Sequence, residues 1–368
     1  MTQAAPEPGS DDAPEPHPAL RTRLCELAGV RYPIVQTGMG WVAGPRLVAA
    51  TAAAGGLGIL ASATMSLDEL SAAIAEVRSR TDAPFGVNLR TDAADAAERI
   101  DLLVEQDVRV ASFAQAPRPD MVARLDGAGV VVIPTVGARR HAEKVAEWGV
   151  HGVIAQGAEG GGHTGAVPTS LLLPAVVDAV GQKVAVIGAG GFADGRGLVA
   201  ALAYGASGIA MGTRFLLTKE STVPDAVKAR YLETPVTGTV VTTRVDGAPQ
   251  RVVRTELVEH LEHAGRATAL PRALRNALAF RRQTGSSMRA LVREGMAMKE
   301  SAELTWAQVV MAANAPMMTR AALVEGRTDV GVLPTGQVVG SIEELPTVAE
   351  LVWRVVRQAN ETLARLGV

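Results

Sequence analysis

The sequence predicts an α/β fold, a (β/α)8 TIM barrel with a C-terminal, mainly helical cap, and three observations predict it. Eight short β-branched apolar runs alternate with Ala-rich amphipathic segments between Arg31 and Phe215. Their spacing leaves room each time for a strand, a helix and two short loops, the pattern of parallel strands joined by crossover helices. Glycine-rich turns follow several of the runs, at the strand ends where barrels of this kind place their ligands.

Taken in order, residues 1–18 are rich in Pro, Asp and Glu and hold no apolar run. They read as a disordered tail and not as a signal peptide. The barrel proper is expected over 19–235, with strands at Ile34–Thr37, Leu57–Leu60, Phe85–Asn88, Val108–Ala111, Val130–Pro134, Gly152–Gln156, Val184–Gly188 and Gly208–Met211. Helices fall between them. Ser66–Ser79 carries Asp68 and Glu69 in its first turn, where negative charge meets the positive end of the helix dipole, and His141–Trp148 is a second. After Phe215 the rhythm breaks. Residues 236–255 read as a small β-rich excursion turning at Asp246-Gly247, within a mainly helical cap over 236–335. The segment 336–368 ends in a helix whose apolar spacing, at Leu345, Val348, Leu351, Val352, Val355 and Val356, suits packing back on the barrel. Apolar cap residues such as Trp306–Ala315 cover either the barrel or a second subunit of a homo-oligomer.

Composition excludes several classes of function. With 36 basic and 38 acidic residues the formal net charge is −2, so no global field attracts a polyanion and nucleic acid is not an expected partner. No apolar stretch approaches the roughly 20 residues that span a bilayer, so no membrane segment is expected. The single cysteine, Cys25, forms neither an internal disulfide nor a thiolate metal cluster. It suits a reducing cytoplasm and reads as a small residue at a helix edge. No metal site is expected.

Five strand ends carry the chemistry. After the first strand, Gly38 and Gly40 flank Met39 and let the backbone approach a flat ligand closely. The third strand ends in Asn88, an amide that serves either a ligand or the cap of the next helix. The sixth runs into Gln156 and a loop in which His163 sits among five glycines, Gly157, Gly160, Gly161, Gly162 and Gly165. A histidine in such surroundings has little apolar packing to make it a core residue. Imidazole titrates near neutrality, so His163 is the candidate catalytic base, against the plainer reading of a loop histidine; Glu159 is a candidate to orient the loop. The seventh run, Gly188-Ala189-Gly190-Gly191-Phe192-Ala193, matches the dinucleotide fingerprint G-x-G-x-x-A, but Gly208–Thr213 lacks the acidic residue that fingerprint needs some 20 positions on. A better account pairs Gly190 and Gly191 with Met211, Gly212 and Thr213 after the eighth strand. Loops after strands 7 and 8 of a TIM barrel commonly hold a phosphate group, so a phosphate-bearing cofactor is expected there.

Together, Pro33-Ile34 with Gly38-Met39, Gly55-Gly56-Leu57-Gly58, Gly86-Val87-Asn88, the stretch from Gln156 to Gly165, Ala189-Gly190-Gly191 and Met211-Gly212-Thr213 resemble the nitronate monooxygenase superfamily. That group consists of FMN-containing TIM barrels and includes FMN-dependent enoyl reductases; the resemblance covers roughly residues 20–235. It implies FMN as cofactor, with Gly38, Met39, Asn88, Gln156 and Gly161 around the flavin and Gly191, Met211, Gly212 and Thr213 at its phosphate. It also places His163 on the base of nitronate oxidation.

Longer strings, among them QTGMGWVAG (36–44), EGGGHTG (159–165), MGTRFLLT (211–218) and TVVTTRVDG (239–247), resemble an actinobacterial branch that acts on steroid C and D rings. This resemblance implies flavin-dependent introduction of a double bond into a hydroxylated, indane-type acyl-CoA, with NAD(H) as redox partner. Arginines of the cap, including Arg251, Arg254, Arg281 and Arg282, would then offer cations to the phosphates of a CoA thioester, or else form a solvated helix face. The competing readings are a nitronate monooxygenase using O2, an NADH-dependent enoyl or quinone reductase and, outside catalysis, a barrel that binds a phosphate ligand.

Overall fold

The computed structural model describes residues 13–263 and 314–368. Eight parallel strands close into a barrel: β1 (Ile34–Gln36), β2 (Leu57–Ala61), β3 (Gly86–Leu89), β4 (Val110–Phe113), β5 (Val131–Val136), β6 (Gly152–Gln156), β8 (Ala185–Ala189) and β9 (Gly208–Met211). Closure is made by β1 on β9, with Ile34, Val35 and Gln36 opposite Ile209, Ala210 and Met211.

Side chains alternate across each strand, and the two faces fill two cores. Val35, Leu57, Ile59, Val131, Ile133, Ile154 and Ile187 fill the barrel interior. Their neighbours Ile34, Leu60, Val132, Val153 and Val186 face the surrounding helices. Burial on both faces explains why the strands read as continuous apolar runs. The N-terminal mouth is plugged by the helix Arg23–Ala28, which buries Leu24 and Ala28 in the interior core. The opposite, C-terminal mouth is left for the site.

The expected strand positions hold except at the fourth, where the strand lies two residues later than Val108–Ala111. Asp107 adopts a left-handed φ of 45° and the Val108 N–H bonds Leu103 O at 2.9 Å, so the preceding helix still claims that residue. The first expected helix runs over Leu67–Arg80, closed by a reciprocal capping box between Ser66 and Glu69, worth about 1 kcal/mol. The second is Arg139–Ala146, displaced two residues toward the N-terminus.

Part of the segment read as a tail is held in place. Tyr32 Oη donates to Pro14 O at 2.6 Å, and Glu15 pairs with Arg21 and Arg31. The C-terminal helix, Val348–Leu366, packs on the helices Gly195–Ala203 and Pro45–Ala53, and Trp353 Nε1 donates to Ala54 O at 3.2 Å. Beyond the barrel, β10 (Thr239–Thr242) and β11 (Gln250–Val253) form an antiparallel pair, and β11 also pairs with the two-residue strand β7 (Gly162–His163). The helices Glu256–His263 and Asn314–Leu323 adjoin them. Among the described residues no helix is long and apolar enough to cross a membrane.

Candidate active site

The loop between β6 and the helix Thr169–Val180 is fastened at several points. Gln156 Nε2 donates to His163 O at 2.7 Å. Glu159 Oε2 accepts from Thr169 N at 2.9 Å and Thr169 Oγ1 at 2.8 Å, so Glu159 ties the loop to the start of the next helix. The far side of the loop rests on the segment after Leu333, where Gln337 N donates to Glu159 O at 2.9 Å. Gly161 approaches so closely that a Cβ there would lie 2.4 Å from both Gly336 N and Thr335 C. Gly162 needs its freedom for another reason, a φ of +65°, which L side chains adopt at a cost.

His163 is held by its main chain, opposite Gln250 in the β7–β11 ladder, while its side chain is 65% exposed. Its Nε2 lies 2.7 Å from Asp246 Oδ2, and the Asp246 side chain is only 7% exposed. Asp246 Oδ1 accepts from Ala248 N at 3.1 Å, which fixes the carboxylate in its turn. The hydrogen bond to Asp246 lifts the His163 pKa above its ordinary value, against partial desolvation of the ring and the repulsion of Arg90, with the attraction of the Asp246 charge adding to the rise. Burial pushes the Asp246 carboxyl up, but the bond to His163, their mutual attraction, the Ala248 N–H and the Gln250 side chain outweigh it and leave the pKa low.

The other candidates lie at the same mouth of the barrel. A Cβ on Gly38 would meet Asn88 Cβ at 2.5 Å, so the first and third strand ends are in contact; Asn88 Nδ2 donates to Ser112 Oγ at 3.4 Å. Gly190 and Gly191 take φ values of 96° and 84°, and a Cβ on Gly190 would reach Gly160 N at 3.0 Å. At Gly212 a Cβ would sit 3.4 Å from Met39 Sδ. The Thr213 hydroxyl accepts from Gly336 N at 2.8 Å. The structure thus joins the ends of β1 and β3, the ends of β8 and β9 and the His163 loop around one mouth, with segment 335–337 packed against the loop and Thr213.

Of the cap arginines named above, Arg251 and Arg254 lie among the described residues. Arg251 was expected to offer a cation, but its guanidinium donates to Ala158 O at 3.0 and 3.3 Å and to Thr239 Oγ1 at 2.9 Å. It braces the loop, because β11 runs alongside it; burial lowers its pKa and the Glu159 charge opposes that. Arg254 is exposed, and Arg281 and Arg282 lie outside the described residues. Asp246 was read from the sequence only as half of a turn. Its bond to Ala248 N accounts for that signal, and no local pattern connects it to a histidine 83 positions away.

A closed barrel with a histidine and glycine-lined strand ends at its C-terminal mouth defines an α/β-barrel enzyme. The family model for nitronate monooxygenase matches residues 21–102 and 94–358, and the chain belongs to that family of oxidoreductases. It is 62% identical over 341 residues to the (3aS,4S,5R,7aS)-5-hydroxy-7a-methyl-1-oxo-octahydro-1H-indene-4-carboxyl-CoA dehydrogenase of Mycobacterium tuberculosis, covering 92% of this chain and 96% of the relative. The protein of the same name from Rhodococcus jostii is 59% identical over 348 residues, 95% of this chain and 98% of the relative. Among solved structures, FabK from Thermotoga maritima superimposes with a TM-score of 0.76 at 33% identity, over 94% of this chain and 98% of that one. Nitroalkane oxidase from Streptomyces ansochromogenes gives 0.74 at 27% identity, over 94% and 100%.

Proposed function

We propose that this chain is an FMN-dependent dehydrogenase of a hydroxylated, indane-type acyl-CoA, introducing a double bond during breakdown of steroid C and D rings in the cytoplasm, with NAD+ as final acceptor. The observation that carries this reading is the 62% identity, across 92% of the chain, to a relative named for such a thioester. Similarity over 92% of the chain is longer than the barrel alone, and so reaches beyond the scaffold that many activities share.

The residues at the mouth fit a flavin phosphate and ring. Gly190 and Gly191, both at positive φ, with Met211, Gly212 and Thr213, would hold the phosphate on a ledge free of Cβ atoms apart from Met211 and Thr213. Gly38, Met39, Asn88, Gln156 and Gly161 would surround the ring. Bound FMN supplies the acceptor for the hydride from the β-carbon. His163 removes the α-proton that the thioester has acidified. Of the described arginines considered for the CoA phosphates, Arg254 keeps an exposed side chain.

The test is an anaerobic absorbance spectrum of the purified protein, supplied with FMN, before and after addition of a hydroxylated indane-type acyl-CoA. Bleaching of the flavin band is expected. No bleaching with the thioester, but bleaching with an alkyl nitronate or with NADH, would overturn the proposal in favour of a monooxygenase or a reductase.

A further inference from the structure

We propose that Asp246 is the positioning residue of the base: Asp246 Oδ2 accepts the Nε2–H of His163 and so assigns Nδ1 as the ring atom that takes the substrate proton. This rests on the reading of His163 as the base, and it goes beyond the substrate assignment to name the atom and its support.

The argument begins with the carboxylate. Its side chain is 7% exposed, and a buried carboxylate persists only when its oxygens are paired. Ala248 N supplies one donor at 3.1 Å. The group on Oδ2, at 2.7 Å, is His163 Nε2. An ionised carboxylate only accepts, so the contact requires the proton on Nε2, and the neutral imidazole then has its lone pair on Nδ1. The His163 main chain is held opposite Gln250 and by Gln156 Nε2, and the ring itself is engaged through Nε2 by Asp246 Oδ2.

When the substrate C–H bond breaks, the electron pair stays on carbon and the proton forms an N–H bond at Nδ1. His163 becomes an imidazolium whose charge lies against Asp246. The charged and titratable groups that act on His163 are then Asp246 in its favour and Arg90, at the end of β3, against it. The carboxylate reaches the base from the turn between β10 and β11, so the excursion outside the barrel completes a site built on the barrel.

The experiment is nitrogen-15 NMR of the flavin-loaded protein labelled at histidine, with His163 assigned by its loss in His163→Gln. Wild type should show His163 protonated at Nε2 when neutral, with a titration midpoint above the ordinary histidine value. In Asp246→Asn the midpoint should fall, because the charge is gone. The acid limb of the kcat/KM profile should move to lower pH in step, and kcat should drop, by less than the roughly hundredfold to ten-thousandfold that a general base itself contributes, at unchanged flavin content. Two results would overturn the proposal: wild-type His163 protonated at Nδ1 when neutral, which needs no Asp246 variant, or an unaltered His163 midpoint in Asp246→Asn. The spectra use no substrate. Failure of the indane thioester to react, beside an Asp246-dependent His163, therefore sinks the substrate assignment alone.

Discussion

Substitution of two adjacent glycines by alanine separates the two physical demands on the His163 loop. At Gly161 a Cβ would lie 2.4 Å from Gly336 N and Thr335 C and 2.9 Å from Thr335 Cα. All three are main-chain atoms and none swings away, so an ordinary contact requires a displacement on the order of 1 Å. Overpacking of this kind costs about 1–3 kcal/mol, and a misplacement of about 1 Å near reacting groups lowers turnover by roughly a hundredfold. At Gly162 nothing lies within 4 Å of the added Cβ, but φ is +65°, so the penalty is the left-handed backbone alone, about 1–2 kcal/mol, with less displacement of His163. We expect Gly161→Ala to lose at least tenfold more kcat than Gly162→Ala, at similar or lower thermal stability. Thermal unfolding followed by circular dichroism and steady-state turnover per bound flavin measure both quantities. A Gly161→Ala protein with wild-type turnover would show that the contact with 335–336 does not position the loop.

Two further outcomes follow from the same geometry. His163→Ala should keep its flavin and lose turnover by about a hundredfold to ten-thousandfold, since it removes the base and leaves the glycine turns of β8 and β9 intact; loss of flavin with preserved turnover per flavin would contradict the assigned role. Stability should also depend on pH through the His163–Asp246 pair. The raised His163 pKa contributes stability that is complete below the ordinary histidine value and lost as pH rises through the folded one. The depressed Asp246 pKa contributes stability that is complete above the ordinary carboxylate value and lost as pH falls through the folded one. The two contributions overlap in mildly acidic solution, so the difference in unfolding temperature between wild type and Asp246→Asn should be largest there and shrink toward both extremes; a difference that does not vary with pH would mean that the pair adds nothing to folding.

The barrel strands were legible because nearly every position in them is buried, so each carries a short apolar run. Local competition shifted boundaries. The fourth strand begins late because Val108 is still bonded to the end of the preceding helix, a tie that apolar patterning does not encode. The strand β7 was not legible at all. Its two residues, Gly162 and His163, have no strand propensity of their own and join a ladder only because β11 supplies Arg251 and Gln250 as partners.

The same distinction runs through the site. His163 stands out locally, as a lone imidazole in a glycine loop, and the candidate phosphate turns stand out by their place after the seventh and eighth barrel strands. What the loop needs in order to hold still is scattered along the chain. Five glycines would leave it with large conformational entropy, and the restraint comes from Thr169, Arg251 and Gln337 bonding to Glu159, Ala158 and Glu159 in turn. Arg251 shows how this defeats a reading by residue type. On a linear chain it is one of several cap arginines suited to a phosphate, whereas in the fold its position on β11, beside β7, spends its donors on the loop backbone. Asp246, on the turn leading into the same strand, is the counterpart: an apparent turn residue brought to the base. One strand outside the barrel therefore stabilises the loop through Arg251, while the turn before it sets the ring of His163, so disruption of the β10–β11 pair should impair the base without touching a barrel strand.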